Sequence, residues 1–212
     1  MESSRNIKSA VQRFAVKMIM YLLFIISIIA LIACDDKSDD SSKAYIPTGI
    51  DNCWVYSDTS RVGDKLTIDE DTIRVTGNEW IAGRMWWYLS GSSFAMGTLC
   101  GNYCIDIDTI FVIDTGENGK YMRVEFIPAD DTPKKYSFVR QGDIGVHRTV
   151  QILPGRISTP AGIFTNCVIY SSDLDTIVIK PGVGIIYRHY VDNNRNISQK
   201  AVLVDCAIVG DN

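Results

Sequence analysis

The chain has little of what enzymes and nucleic-acid-binding proteins use for their chemistry. It contains two histidines, His147 and His189, and no GxSxG, HExxH or P-loop motif. Its formal net charge is −4, and its Lys and Arg residues are scattered, whereas phosphate binding needs a clustered basic face. We interpret His189, which follows Tyr187 on one strand face, as an ordinary strand residue. The sequence therefore predicts a protein that is not an enzyme, has no cofactor and does not bind nucleic acid.

Closely spaced metal ligands are also scarce. The chain has six cysteines, of which only Cys100 and Cys104 are near each other in sequence. A zinc site would need a second close pair, so no metal site is predicted. Cys100 and Cys104 can form a disulfide only if Gly101-Asn102 makes a turn; otherwise these thiols are small core residues. Sequence alone leaves the pairing open among Cys53, Cys100, Cys104, Cys167 and Cys206.

The one long apolar run lies near the N-terminus. "MIMYLLFIISIIALIA" has 16 residues and follows a segment with four basic side chains and one acid. A helix needs ~20 residues to span the bilayer core, so the run favours a cleaved export signal over residues 1–33. An uncleaved signal-anchor helix is the alternative.

The run ends on Leu31-Ile32-Ala33-Cys34, which resembles the lipobox of bacterial lipoproteins. The resemblance implies that Cys34 receives a diacylglyceryl group, that residues 1–33 are cut away and that the new N-terminus is acylated, as with palmitate. Two or more acyl chains hold a protein on a membrane stably, whereas one holds it marginally. We therefore expect the membrane to be a partner through the lipid anchor on Cys34.

The next segment, residues 34–44, is acidic and has no apolar residue between Cys34 and Ala44. Such a composition cannot bury surface and predicts a solvated tether. The acidic run also resembles the export signal of surface lipoproteins of the Bacteroidetes, which implies an outer-membrane protein whose domain faces outside the cell. A generic spacer, with the domain on the periplasmic face, is the alternative.

From Tyr45 to Asn212 the pattern is that of strands, and no helical apolar period lasts three turns. Short β-branched or aromatic segments are bounded by turn residues, and Asn118-Gly119 is a hairpin signal. A flat sheet of so many strands would leave two edges and an uncovered face. We therefore predict an all-β domain over residues 45–212, an antiparallel meander curled into a half-barrel, a barrel or a sandwich.

In two segments the alternation of apolar and polar residues predicts which side chains share a face of the strand. "KYMRVEF" is predicted to place Val124 and Phe126 on its apolar face and Glu125 on its polar face. "YCIDIDTIFVID" is interpreted as one strand, with Ile107 and Phe111 on the apolar face.

Three further segments, "YIPTGIDNCWVYSD", "STPAGIFTNCVIY" and "KPGVGIIYRHY", resemble an uncharacterised family of exported bacterial lipoproteins of the Bacteroidetes type. Its members share a Trp-x-Tyr strand, a TPAGxF strand and a PGVG turn. The resemblance covers both ends of the domain and implies a β-rich fold without established catalytic residues. From the residues themselves, Gly162 and Gly184 are expected at turns or bulges, where glycine accepts positive φ or a close approach of the backbone; a ligand loop is the alternative.

Four aromatic residues are candidates for stacking on a ligand. They form two i, i+2 pairs, each on one face of a strand: Trp54 with Tyr56, and Trp86 with Tyr88. On an exposed face they would stack on sugars or apolar ligands, whereas buried they belong to the core.

The tripeptide Asp-Thr-Ile occurs three times, at residues 71–73, 108–110 and 175–177. It resembles the O-glycosylation acceptor of exported Bacteroidetes proteins, and an Asp before two β-branched residues is also a common strand start. We expect modification at Thr72 and Thr176. Thr109, in phase with Ile107 and Phe111, is a weaker candidate.

These features together predict a non-catalytic cell-envelope lipoprotein that acts as a binding or assembly module. Its partner would be a protein, a glycan or an apolar ligand. One alternative is a half-barrel carrier of an acyl chain or other apolar ligand, and a third is an enzyme of unknown type.

Overall fold

The structure, a computed structural model, describes residues 45–99, 102–106, 109–116, 119–138 and 146–209. The predicted signal segment 1–33, the tether 34–44 with Cys34, and Cys100 lie outside the described residues. No helix within the described ranges is long and apolar enough to cross a membrane.

Most of the described chain is in strands. The strands are β1 (Cys53–Val62), β2 (Lys65–Ile81), β3 (Arg84–Ser90), β4 (Asn102–Asp106), β5 (Thr109–Gly116), β6 (Gly119–Phe126), β7 (Lys134–Phe138), β8 (Val146–Thr159), β9 (Gly162–Ser171), β10 (Asp175–Lys180), β11 (Gly184–Asp192) and β12 (Ile197–Ala207). A short 3₁₀ turn, Gly97–Leu99, lies between β3 and β4.

In the described residues these strands form one twelve-stranded sheet, in the order β6-β5-β4-β3-β2-β1-β12-β11-β10-β9-β8-β7. Strands that are neighbours in sequence pair antiparallel, except across the β6–β7 connection, and the two halves of the chain join where β1 pairs with β12. The predicted all-β antiparallel meander is confirmed. The sheet is open, because β6 and β7 end it without pairing with each other in the described residues.

The sheet curls until its two ends meet through side chains. Tyr136 of β7 donates its hydroxyl to the Glu125 carbonyl of β6 at 2.8 Å, and Tyr170 of β9 donates to the Ile127 carbonyl at 2.6 Å. The rings of Phe126 and Tyr170 pack edge to face, with centroids 4.8 Å apart. Burial raises the pKa of Tyr136 to about 12, so its hydroxyl remains a neutral donor at physiological pH.

The inner face of the curled sheet carries the core. Its largest fully buried side chains include Trp54, Tyr56, Tyr103, Phe126 and Tyr170. Because a buried aromatic removes about 150–250 Å² from water, these residues supply much of the hydrophobic stabilisation.

One predicted phase is wrong, because β6 contains a bulge. Ile110 of β5 pairs with Phe126, whereas the next residue, Phe111, pairs with Val124. Glu125 is therefore an extra residue in β6, and a bulge of this kind re-aims a side chain. Glu125 is 1% exposed and points into the interior, not onto a solvated face.

The segment interpreted as a single strand is a hairpin. Cys104 pairs with Phe111, and Asp106 pairs with Thr109, so β4 and β5 run antiparallel on either side of residues 107–108. Among the side chains of β5 that the structure describes, the buried apolar ones are Ile110 and Val112. Phe111 and Thr109 are half-buried, which differs from the predicted phase.

Candidate functional site

Four charged side chains lie inside the curled sheet and form one connected network. The Arg148 guanidinium contacts the Glu125 carboxylate at 2.7 Å and Asp175 at 3.5 Å. Arg188 donates to Asp175 twice, from Nε to Oδ1 at 3.1 Å and from Nη2 to Oδ2 at 2.9 Å. Two positive and two negative charges balance. The network therefore satisfies its own charges within the protein, as buried charges must be satisfied.

Strand phase explains how three of these residues reach the interior. Asp175 is in phase with the buried Ile177 on β10, and Arg148 is in phase with the buried Val150 on β8. Arg188 lies opposite Ile177 in the β10–β11 register, so it shares that inner face. Glu125 arrives by the bulge in β6.

The two guanidinium groups also lie against aromatic rings. Arg188 lies 4.2 Å from the Phe94 ring centroid, and Arg148 lies 5.6 Å from that of Phe126. Burial alone would lower the pKa of Arg148. The Glu125 carboxylate, with smaller contributions from Tyr136 and Asp175, more than offsets this effect and raises that pKa above its usual value. Arg148 therefore stays charged.

The loop between β3 and β4 covers part of the inner face. Its residues Ala95, Met96 and Leu99 are buried in the core cluster. The Phe94 carbonyl accepts a 2.8 Å hydrogen bond from Arg188 Nη1, so the ion network also holds this loop.

A second anchor for the loop comes from β1. Asp58 accepts hydrogen bonds from the Phe94 N–H at 2.7 Å and from the Ser93 hydroxyl at 3.1 Å. Burial raises the pKa of Asp58, although these two hydrogen bonds oppose the shift. The loop is thus held by the Asp58 carboxylate on one side and by the Arg188 guanidinium on the other.

The Trp-x-Tyr and PGVG segments meet in the interior. Trp54 Nε1 donates to the Val183 carbonyl at 2.6 Å, and the Tyr56 hydroxyl donates to the Ile185 carbonyl at 2.8 Å. Gly184 has a φ of +110°, and a Cβ added there would lie 3.2 Å from Trp54 Nε1. Both candidate aromatics of β1 therefore have a structural role, and the predicted positive φ at Gly184 is present, as it is at Gly162 (φ +148°).

The candidate stacking aromatics do not form one exposed platform. Trp54, Tyr56 and Trp86 are buried. Their burial agrees with the second interpretation given above, that such aromatics belong to the core. Tyr88 is half-buried, and its hydroxyl donates to the exposed Glu79 at 2.5 Å.

The candidate glycosylation sites lie on different strands. Thr72 of β2 is exposed, whereas Thr176 of β10 and Thr109 of β5 are half-buried. Thr176 stands between Ser171 of β9 and His189 of β11 in the register.

Neither histidine belongs to the buried network. His147 is exposed, with Nδ1 2.6 Å from the Ser137 hydroxyl, and His189 Nε2 lies 3.4 Å from the Ser198 hydroxyl. Among the described residues, no group of three or more His, Cys, Asp or Glu side chains could hold a metal ion.

No family model matches the chain, and no curated protein matches it. Among solved structures, a candidate lipoprotein from Parabacteroides distasonis ATCC 8503 is 12% identical, with a TM-score of 0.44 over 79% of this chain and 100% of that chain. A candidate exported protein with a YmcC-like fold from Bacteroides fragilis NCTC 9343 is 11% identical, with a TM-score of 0.41 over 78% of this chain and 99% of that chain. Both TM-scores lie below 0.5, so the proposals below rest on this chain's own residues.

Sequence reasoning missed the buried ion network. A signal for it was present, because Arg148 and Asp175 fall in phase with apolar residues of their strands. A charge at such a position predicts a buried partner of opposite sign. Glu125 carried no such signal, since only the bulge turns it inward.

Proposed function

We propose that this chain is a non-catalytic lipoprotein of the cell envelope whose β domain acts as a binding or assembly module. The lipid on Cys34 would hold it to the outer membrane. The acidic tether 34–44 would let the domain face the outside of the cell.

The occupied inner face is the observation that carries the role of the domain. Packed aromatics, the β3–β4 loop and a matched set of charges fill the inner side of the curled sheet. An acyl chain placed beside Arg148 and Asp175 would separate buried ions from their partners, which costs about 3–5 kcal/mol per broken pair. Recognition by the outer surface is therefore favoured over carriage of an apolar ligand inside.

The outer surface offers apolar contact points for such recognition. Leu66 is 50% exposed and Ile68 is 64% exposed, and both lie on the outer face of β2. Large exposed apolar side chains on a strand suit a protein or glycan partner better than they suit water.

Native mass spectrometry of the full-length protein, extracted from its own membranes in mild detergent, tests this role. The expected result is the lipidated chain accompanied by a protein or a glycan. An apolar molecule retained at one per chain, and lost only on unfolding, would support the carrier alternative and contradict the proposal.

Protease added to intact cells tests the orientation. The domain should be degraded, and replacement of the four tether aspartates by alanine should protect it: Asp35, Asp36, Asp39 and Asp40. A periplasmic protein in the same cells serves as the control for intact envelopes. Protection of the unmodified chain would place the domain on the periplasmic face.

A further inference from the structure

Half of β2 has a backbone edge that no described strand occupies. β1 pairs with residues Lys65 to Arg74 on one side of β2, whereas β3 pairs only with Arg74 to Ile81 on the other side. Residues 65–70 are exposed. Leu66 and Ile68, 50% and 64% exposed, are the apolar side chains of this stretch.

The hairpin turn decides which backbone groups face the free edge. Val62 pairs with Lys65 across a two-residue loop whose first residue, Gly63, has a φ of +60°, as in a type II′ hairpin. The closing pair of such a hairpin exchanges its backbone hydrogen bonds, and bonded pairs then recur at every second residue. The N–H and C=O groups of Leu66 and Ile68 therefore point away from β1, into the free edge.

A contact further along β2 agrees with this direction. Thr72, like Leu66 and Ile68, is an even-numbered residue of β2, so its backbone groups point to the same side of the strand. Its carbonyl faces Gly91, which follows β3, because a Cβ added at Gly91 would lie 2.2 Å from that oxygen. Even-numbered residues of β2 thus present their backbone groups on the side away from β1.

We propose that this edge pairs with the same edge of a second copy of the chain, antiparallel and centred on Thr67. The pairing continues the sheet of one protomer into the sheet of its partner. The proposal deepens the assembly role and rests on it, since it names one partner for the module.

The side chains of this stretch complement themselves about Thr67. Antiparallel pairing about this residue sets each Leu66 opposite an Ile68, so two apolar pairs form on the outer face. It sets each Lys65 opposite an Asp69 on the inner face, so two pairs of opposite charge form. Apolar, opposite-charge and Thr–Thr cross-strand pairs all stabilise antiparallel sheets.

A register shifted to Asp69 loses this match. Centring on Asp69 would oppose two Asp69 carboxylates and set each Ile68 against a Glu70. Like charges directly opposite each other destabilise a sheet. The charges of this edge therefore favour the register centred on Thr67 over the register centred on Asp69, and such charges are one means by which edge strands avoid unspecific pairing.

Two acidic residues of the hairpin lie side by side, and the second copy supplies a cation next to them. Asp58 of β1 lies directly opposite Asp69 in the register. Burial raises the pKa of Asp58, and the nearby Asp71 and Asp69 raise it further. Lys65 of the second protomer would place a positive charge beside Asp69, next to this pair.

Charge reversal tests both the interface and its register. The full-length protein in detergent is studied by analytical ultracentrifugation at concentrations up to about 0.1 mM, where even weak dimers form. Lys65→Asp and Asp69→Lys should each weaken dimer formation by at least about tenfold, because each change creates two like-charge contacts. An equal mixture of the two variants should form a heterodimer, since each supplies the charge that the other needs.

A cysteine cross-link tests the centre of the interface. Thr67→Cys should give a disulfide-linked dimer on mild oxidation of intact cells, because the two residues face each other. Thr76→Cys, at an exposed threonine of the same strand, should give no more dimer than the unmodified chain.

Three results would overturn the proposal: an unmodified chain that stays monomeric, no heterodimer in the mixture, or equal cross-linking at both threonines. Because native mass spectrometry reads out every companion of the protein, a monomer that still carries another protein or a glycan would refute self-pairing and leave the proposed role of the module standing.

Discussion

Replacing Arg188 with methionine tests whether the buried ion network holds the inner face together. The substitution keeps most of the side-chain volume and removes both hydrogen bonds to Asp175 and the one to the Phe94 carbonyl. Removing one partner of a buried ion pair costs about 3–5 kcal/mol. Arg148 remains 3.5 Å from Asp175 and offsets part of this loss, whereas the unpaired Phe94 carbonyl adds about 1 kcal/mol or more. We expect a net loss of about 3–4 kcal/mol.

Equilibrium unfolding in urea measures this loss, with the midpoint and the slope fitted separately. Arg195→Met is the matched control, because Arg195 is 77% exposed and lies 3.6 Å from Asp192. Asp192 is buried, but it keeps its hydrogen bonds from the Asn194 and Arg195 N–H groups when the Arg195 side chain is removed. A contact to an exposed cation contributes little, so the control should change stability by no more than about 0.5 kcal/mol. A loss below about 1 kcal/mol for Arg188→Met, or an equal loss in the control, would refute the structural role of the network.

Three further predictions concern single residues. Gly184→Ala should destabilise the domain by about 1–2 kcal/mol more than Gly155→Ala in urea unfolding. Both glycines have positive φ, but only at Gly184 would the new Cβ lie close to the Trp54 indole; equal losses would contradict this contact. Burial holds the pKa of Asp58 above its usual 3.8. The folded protein therefore binds a proton at this carboxyl more readily than the unfolded chain does. Protonation as the pH falls through the raised pKa then stabilises the folded state. The unfolding free energy of the unmodified chain relative to Asp58→Asn should therefore rise on acidification, and a flat or falling difference would contradict the assignment. Thr72→Ala should lower the intact mass of the native protein by the mass of a glycan in addition to the mass difference between Thr and Ala. A decrease equal to the Thr-to-Ala difference alone would mean that this exposed site is not modified.

Most of the strands could be predicted from the sequence, because the periodicity of apolar residues reports which face of a strand is buried. Trp54 and Tyr56 are an example, since their i, i+2 spacing places both on the inner face of β1. A hairpin turn at Asn118-Gly119 was predicted from local turn chemistry; β5 and β6 do pair, and their last pair joins Gly116 to Gly119.

The predictions that were wrong failed for physical reasons that the pattern of one strand does not reveal. The bulge at Glu125 inserts one residue and reverses the phase, and only the pairing with β5 reveals it. No glycine, proline or asparagine separates β4 from β5 in the sequence, and the alternation of apolar and acidic residues continues from one into the other. Contacts such as Arg148 with Glu125 depend on how far the sheet curls, which is set by packing across the whole sheet.

Metabolic labelling of Cys34 is the most direct test of the central claim, a lipid-anchored envelope protein. Cells that express the full-length chain are fed an alkyne-labelled palmitate analogue, and the label is read on the purified protein. We expect label on the unmodified chain and on the control Cys53→Ala. The Cys34→Ala variant should carry no label and should accumulate as a longer precursor that retains residues 1–33. Full labelling of Cys34→Ala, or an unlabelled native chain, would contradict the account.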